Sequence, residues 1–199
     1  MIMSKEKRIV EKADLVSLNE YEKNRKQLRK KLVEYKKHRR IPIGPYGTFY
    51  FESYETMLGQ IQEMLYIEKG GDEQLKDELN AYNPLIPKGN ELVATLMFEI
   101  DDPILRADFL GKVGGIEEEI YLKIGEEKIK AIPEKDVDRT SAEGKASSVQ
   151  FIHFNFSEEQ IKKFKNFNNK IMLFINHDLY KHEATISQDS KNELVKDFI

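Results

Sequence analysis

The sequence predicts an α+β fold: a mixed, mainly antiparallel sheet packed by several helices, with a long basic helix near the N-terminus. Segments that alternate between apolar and polar residues follow one another as hairpins or are separated by single amphipathic helices, which favours antiparallel pairing. A regular alternation of one strand and one helix, typical of a parallel sheet, is not seen. The length of 199 residues fits one domain at 17–199, preceded by a flexible N-terminus at 1–16.

The first half of the chain is predicted to be mostly helical. A basic helix occupies residues 17–40: it begins after Ser17 or Asn19, carries a narrow apolar stripe, and ends near Arg39 before a run of prolines and glycines. Three further elements precede residue 91: a short strand at 48–52, a helix at 53–68 capped by Ser53, and a helix at 72–82 that leads into a proline-containing loop at 83–90.

The second half is predicted to hold most of the strands. The elements, in order, are a strand at 91–100, a helix from Asp101 or Asp102 to the glycines at 111–115, a hairpin of 120–124 and 127–132, a polar loop at 133–148, a strand at 149–156, a helix at 157–167, a hairpin of 171–177 and 182–187, and a last helix from Asp189. The polar loop is expected to be mobile because it contains few apolar residues.

Composition excludes several classes of chemistry. The chain has no cysteine, so it cannot form disulfides, supply a thiolate nucleophile, or bind zinc or iron–sulfur clusters through thiolates. Any metal would need imidazole, carboxylate or neutral oxygen ligands. The N-terminal residues contain no apolar signal core and no window approaches a membrane span, so we expect a cytoplasmic protein without a membrane span.

Charge is distributed unevenly along the chain. Residues 20–40 carry ten Lys and Arg against three Glu, a local charge of +7 within an overall charge of −3, so the remainder carries −10. Such a helix can bind an acidic partner or nucleic acid, or it can simply be solvated along its exposed side. Nucleic-acid binding is the weaker alternative because no base-reading motif accompanies the charge.

Two of the four histidines lie in the last predicted hairpin. If His177 pairs with His182 across a four-residue connection, both rings lie at one end of the same sheet face, close enough to share a ligand. The alternative is a structural pair that is hydrogen-bonded to backbone or solvent. His153, in the preceding strand, is a third candidate ligand, although a lone histidine in a strand is more often a satisfied core residue.

The helix at 53–68 has an unusual second face. Its apolar residues lie on one side, whereas the other side holds Thr56, Gly59, Gln60 and Glu63, with Glu52 just before the helix. This face is either solvated or closely approached by another element or a ligand, because glycine removes bulk and amides hydrogen-bond without charge. In the second case Glu63 is a candidate catalytic residue and Gln60 a candidate for binding a cofactor.

Several runs of residues carry a resemblance to a known family. The most distinctive are Gln60–Leu65 and Asn83–Pro87; the others are Phe51-Glu52, Thr56, Glu78–Tyr82, Ala94–Met97, Gly115–Glu117, Val149–Phe154, His177 and Tyr180. With these runs the chain resembles the uncharacterised bacterial family known as domain of unknown function 3501, over nearly its whole length. The family has no established activity, so the resemblance transfers no catalytic residue. Its members are often encoded beside rubrerythrin-like and iron–sulfur oxidoreductase-like proteins, which implies a redox or oxidative-stress context and a partner of that kind.

These observations lead to two functional hypotheses. In the first, the protein binds a non-haem metal ion (iron, zinc or manganese) or a small polar ligand, with metal ligands drawn from His177, His182, His153, Glu63 and Glu52. In the second, it is a non-catalytic accessory protein that docks on a redox partner through its basic helix and the loop at 83–90. Whether the protein is an enzyme is left open by the sequence.

Overall fold

A computed structural model describes residues 7–134, 140–141, 144–166 and 168–199. The helices are α1 Leu18–Lys36, α2 Tyr54–Glu68, α3 Gly71–Tyr82, α4 Pro103–Lys112, α5 Glu158–Lys165 and α6 Gln188–Leu194. The strands are β1 Arg40–Ile43, β2 Gly47–Phe51, β3 Glu91–Phe98, β4 Ile120–Ile124, β5 Glu127–Lys130, β6 Ile132–Pro133, β7 Val149–Asn155, β8 Ile171–His177 and β9 Tyr180–Thr185. No helix in these ranges is both long enough and apolar enough to span a membrane.

The α+β class is confirmed, and the strands divide into two sheets. The order is β1-β2-β3-β7-β6 in one and β5-β4-β8-β9 in the other, and the ladders of the described strands are all antiparallel. The predicted strand at 127–132 is shared between the two sheets. The chain leaves one sheet after Lys130 and enters the other at Ile132, with the buried Ala131 at the corner.

Helix starts follow the predicted capping residues. Ser17 caps α1, Asp102 caps α4, and Ser53 and Ser157 form capping boxes at α2 and α5. These local signals explain why the helix positions were predictable. The predicted end of the fifth helix at Phe167 lies outside the described residues.

Strand β1 was missing from the prediction. We interpreted Pro42 and Gly44 only as a helix stop, yet residues 40–43 pair with β2. Proline is tolerated here because β1 lies at the edge of the sheet, where one side of the strand needs no ladder hydrogen bonds.

The central strand β3 is buried on both faces. Leu92, Ala94 and Leu96 belong to the main core between the sheets, whereas Val93 packs with Ile61 and Leu75 in a second cluster under α2 and α3. Burial on both faces explains why this segment is apolar at nearly every position.

Residues 7–16, the described part of the N-terminus, pack against this body. Val10 is buried and exchanges backbone hydrogen bonds with the side chain of Asn83, and the amide of Gln62 bonds both the N–H and the carbonyl of Val16. Residues 135–139 and 142–143 of the predicted mobile loop lie outside the described residues. Pro133, at its start, pairs with β7.

A buried ion pair joins the turn after α1 to the C-terminal segment. The guanidinium of Arg39, which follows α1, makes bonds of 3.0 and 2.7 Å to both carboxylate oxygens of Asp197. A third bond reaches the carbonyl of Glu52. Arg39 is 1% exposed, so its charge depends on this partner. The pair fixes the end of α1 on the body of the protein.

Candidate functional site

The histidine hairpin has a different register from the predicted one. His177 pairs with Tyr180 across a two-residue turn, and His182 pairs with Ile175. The prediction that His177 opposes His182 is therefore wrong by two residues. A shift of two keeps every side chain on its predicted face, but it moves His182 away from the end of the hairpin. The two rings are consequently not opposed.

Tyr180 explains this register. Its hydroxyl accepts hydrogen bonds from the N–H groups of Tyr46 and Gly47 at 3.1 and 2.8 Å and donates one to the carbonyl of Ile43 at 2.7 Å. The aromatic ring is buried, and the ring of His182 contacts it with a centroid distance of 4.4 Å. Because the turn between β1 and β2 holds Tyr180 within the strand, β9 begins two residues earlier than the sequence predicts.

His177 and His182 are each committed to a local contact. Nδ1 of His177 accepts a hydrogen bond of 3.3 Å from the N–H of Leu179, and His182 packs edge-on against Tyr180. A Cβ placed on Gly44 would lie 2.5 Å from the His182 ring, so backbone also approaches this ring closely. These contacts match the structural alternative for the pair.

His153 lies between two carboxylates. Its Nδ1 is 2.8 Å from Oε2 of Glu91, and its Nε2 is 2.9 Å from Oε1 of Glu134. Val93 and Ile132 are the direct cross-strand partners of His153, so each glutamate is two residues from such a partner and reaches the ring diagonally. Sequence reasoning missed both carboxylates. Glu91 lies two residues from Val93 and therefore on the same face of β3. Once β3 was paired with β7, this position could have indicated the contact between Glu91 and His153.

This carboxylate–histidine–carboxylate bridge favours the charged imidazole. Burial opposes protonation, but hydrogen bonds and charge from Glu91 and Glu134 outweigh it and raise the pKa of His153. Burial would raise the pKa of Glu91, yet the bond from His153 lowers it overall. An imidazolium can donate to both carboxylates, whereas a neutral ring can donate to only one.

Glu52 is a buried carboxylate with neutral partners. Its oxygens accept hydrogen bonds from the hydroxyls of Thr56 at 2.6 Å and Thr95 at 2.7 Å, and the residue is 6% exposed. These bonds tie the start of α2 to β3. The same arrangement leaves Glu52 directed into the protein and away from the histidine hairpin.

Glu63 is held by α1. Its carboxylate accepts hydrogen bonds from the hydroxyl of Tyr21 at 2.7 Å and from both Nε and Nη2 of Arg25. The bond from the Arg25 guanidinium lowers the pKa of Glu63, and the bond from Tyr21 acts in the same direction. Burial opposes this effect, but the pKa stays below its usual range. A carboxylate stabilised as an anion in this way is a poor general base at neutral pH.

The polar face of α2 is approached by another element. A Cβ on Gly59 would lie 2.6 Å from a methyl group of Leu32, so α1 crosses α2 where glycine leaves room. Gln60 on the same helix lies 3.4 Å from the hydroxyl of Tyr82 on α3. Close helix packing therefore accounts for a face that could also have suited a ligand.

The predicted ligands do not come together. His153 belongs to the five-stranded sheet and His177 and His182 to the four-stranded sheet, while Glu63 points to α1. In the described ranges, no group of three or more His, Asp or Glu side chains is arranged to hold a metal. At His153 the two carboxylates contact opposite nitrogens of the ring. No single metal position therefore lies within reach of both carboxylates and of an unbonded ring nitrogen.

The exposed side of α1 carries a continuous basic surface. Lys23, Lys26 and Lys30 of α1 and Lys37, the residue that directly follows α1, are exposed and spaced by three, four and seven residues, which places them on one side, opposite the seam packed on α2. We call these four lysines the basic face. Val33, which is 59% exposed, lies among them. Within the described part of the chain, Lys23, Lys26 and Lys30 have no acidic group within 4 Å.

Comparison with known proteins gives a family and a related structure. A family described as a protein of unknown function (DUF3501) matches residues 9–198. The chain belongs to this family. The DUF3501 chain is also similar to a crystal structure described as a novel protein of unknown function from Burkholderia pseudomallei, with 32% identity over 96% of this chain and 99% of the other, and a TM-score of 0.88. No curated protein matches it.

Proposed function

We propose that this DUF3501 protein is a non-catalytic docking protein whose basic face on α1 binds an acidic surface of a redox partner. The partner would be a rubrerythrin-like or iron–sulfur oxidoreductase-like protein, the kinds that accompany the family. The observation that carries the proposal is the basic face itself: four exposed lysines on one side of a helix whose opposite side is anchored.

Anchoring of α1 supports a role in recognition. Arg25 and Tyr21 bind Glu63, the buried Arg39 binds Asp197, and α1 is therefore held in its first half and just beyond its end. A rigid helix loses little conformational entropy when it binds, so its lysines can steer and orient a partner at low cost.

The composition of this face favours a protein over a nucleic acid. Val33 lies among the lysines and can be buried by a protein surface, whereas a phosphate backbone gains nothing from it. Glu34 also lies on this side and pairs with Lys37 at 3.8 Å. A carboxylate there would repel phosphates but can bond to a polar group of a protein.

The alternative of a metal ion receives less support from the geometry. It requires side chains that the fold directs to different partners: Glu63 to Arg25, Glu52 to two threonines, and His153 to two glutamates. Each of these groups already has its hydrogen bonds or its countercharge, so binding a metal would break an existing contact.

The proposal is tested with purified partner and calorimetry or biolayer interferometry at increasing salt. Charge reversal at both Lys30 and Lys37 should weaken binding at least about tenfold and remove most of its salt dependence. The matched control reverses two exposed lysines elsewhere, Lys76 and Lys181, which changes the net charge equally and should leave affinity within about twofold.

Two further variants separate the alternatives. Val33→Gln should weaken binding to the protein partner and leave binding to random duplex DNA unchanged. His177→Gln should leave partner binding unchanged. Equal losses from Lys30/Lys37 and from Lys76/Lys181 would show that only net charge matters and would refute docking through α1. Binding to duplex DNA tighter than to the partner would favour the nucleic-acid alternative instead.

A further inference from the structure

A pocket opens beside the basic face, in the groove between α1 and α2. It has a volume of 370 Å³ and is lined by Glu22, Arg25, Lys26 and Arg29 of α1 and Tyr66 of α2. Four of the five lining residues are charged, so the pocket is suited to a charged group.

One wall of the pocket is rigid. The guanidinium of Arg25 lies 4.9 Å from the centre of the Tyr66 ring while it binds both oxygens of Glu63. Tyr21 packs edge-on against Tyr66 at 5.7 Å and also bonds Glu63. Aromatic and charged contacts thus fix Arg25 and Tyr66 before any ligand enters.

The other cations of the pocket keep their donors available. Arg29 approaches Glu63 only to 3.9 Å and its side chain is 59% exposed, and Lys26 has no acidic group within 4 Å in the described ranges. A guanidinium has five N–H donors in a planar fork that matches a carboxylate. Arg29 can therefore bind an incoming carboxylate with little rearrangement.

The charge of the pocket selects among anions. Arg25, Lys26 and Arg29 contribute three positive charges, whereas Glu22 and Glu63 contribute two negative ones, which leaves about one positive charge. Glu22 lies at the rim, where its carboxylate accepts a hydrogen bond of 3.2 Å from the Tyr66 hydroxyl. A monoanion balances this charge, whereas a dianionic phosphate would leave a net negative charge and would be repelled more strongly by Glu22.

We propose that this pocket receives an aspartate or glutamate side chain of the docking partner, bound by Arg29 and Lys26 beside Tyr66. The inference rests on the proposed function and specifies its anchor point. Arginine and tyrosine in a pocket that a partner closes off from water are residues at which binding energy tends to concentrate, so a few bonds here would outweigh the neighbouring lysines.

A first experiment tests the pocket without the partner. A capped Gly-Glu-Gly peptide is titrated into ¹⁵N-labelled protein, with capped Gly-Gln-Gly and inorganic phosphate as parallel probes. The Nε–Hε signal of Arg29 and the ring signals of Tyr66 should move saturably with the glutamate peptide, and not with its glutamine counterpart.

Three variants then assign the binding. Arg29→Gln should reduce the affinity for the glutamate peptide about tenfold because a charge-assisted pair is lost. Lys30→Gln removes the same charge outside the pocket and should cost only about two- to threefold. Glu22→Gln removes the repelling carboxylate and should tighten binding about three- to fivefold, a gain that damage to the fold cannot produce.

Several results would overturn the inference. Small shifts of all α1 lysines with no saturable change at Arg29 would mean diffuse attraction, and tighter binding of phosphate than of the glutamate peptide would exclude a carboxylate ligand. If Arg29→Gln lowers the affinity for the purified partner no more than Lys30→Gln does, the pocket is refuted as the anchor point, but docking is not. If charge reversal at both Lys30 and Lys37 leaves the affinity for the partner unchanged, the proposed function itself is refuted.

Discussion

Replacing His153 with glutamine should destabilise the protein in a pH-dependent manner. The imidazole bridges Glu91 and Glu134 and so connects β3, β7 and the residue after β6. Glutamine is close in size but neutral, and its single amide nitrogen cannot donate to carboxylates on opposite sides. The variant therefore leaves two carboxylates at this edge of the sheet without their shared cation.

The size of the effect follows from the two bonds. Side-chain exposures are 15% for His153, 10% for Glu91 and 24% for Glu134, so the bridge is mostly shielded from water. Hydrogen bonds to charged groups contribute roughly 1.5–3 kcal/mol each. Because the bridge lies near the surface, we take the lower figure and expect His153→Gln to reduce the free energy of unfolding by about 3 kcal/mol.

The sign of the pH dependence follows from the raised pKa of His153. A group whose pKa is higher in the folded than in the unfolded chain stabilises the fold fully below its unfolded pKa, about 6.5 for histidine. This stabilisation is lost as the pH rises through the folded pKa, where the ring becomes neutral and keeps one of its two bonds. The difference between wild type and variant should thus be largest near pH 5.5 and should decrease at alkaline pH.

Urea unfolding at pH 5.5 and at pH 9, followed by circular dichroism, measures both quantities. With an m value of about 2 kcal/mol/M, the midpoint should fall by about 1.5 M at the lower pH. His177→Gln is the matched control, since that ring makes one weak contact and should change stability by less than about 1 kcal/mol. A His153→Gln effect that is equal at both pH values, or below about 1 kcal/mol at pH 5.5, would refute the charged bridge.

Two other substitutions test the contacts that position the candidate surfaces. Asp197→Asn should reduce the free energy of unfolding by about 3 kcal/mol because it removes the carboxylate that bonds the buried Arg39 guanidinium twice and leaves only Glu193, 3.5 Å from Arg39 Nε, as countercharge. Asp72→Asn breaks a pair whose side chains are 70% and 84% exposed, and it should cost less than about 1 kcal/mol in the same urea assay. Tyr180→Phe should cost about 2–4 kcal/mol in thermal unfolding because the N–H of Gly47 and its neighbours lose a buried partner; an unchanged melting temperature would contradict the register argument.

Much of the fold could be predicted because its signals are local. Ser53 and Ser157 cap their helices by bonds to residues three positions away, and the alternation in β8 reflects one buried face. The polar face of α2 was also visible in the sequence. What it contacts was not, because Gly59 permits a close approach without specifying that Leu32 makes it.

The candidate site was harder to predict because it depends on partners far apart in sequence. The sequence offered Glu63 and His153 only as candidate ligands, whereas in the structure Arg25 binds the first, and Glu91 and Glu134 bind the second. The hairpin register was misjudged because the turn at 178–179 lacks the Gly or Asn that favours a two-residue connection, while Tyr180 imposes one.

By itself the sequence determined most of the segments that become helices and strands, β1 being the exception, which helix is basic, and that thiolate chemistry is excluded, since these depend on residue type and short-range spacing. Tertiary structure decided the rest: that the basic lysines face outward as one surface, that Glu63 is neutralised by Arg25, and that His153 bridges two strands. The physical reason is that a polar side chain can be satisfied by many partners of similar chemistry. Only chain packing determines which of them comes within hydrogen-bonding distance.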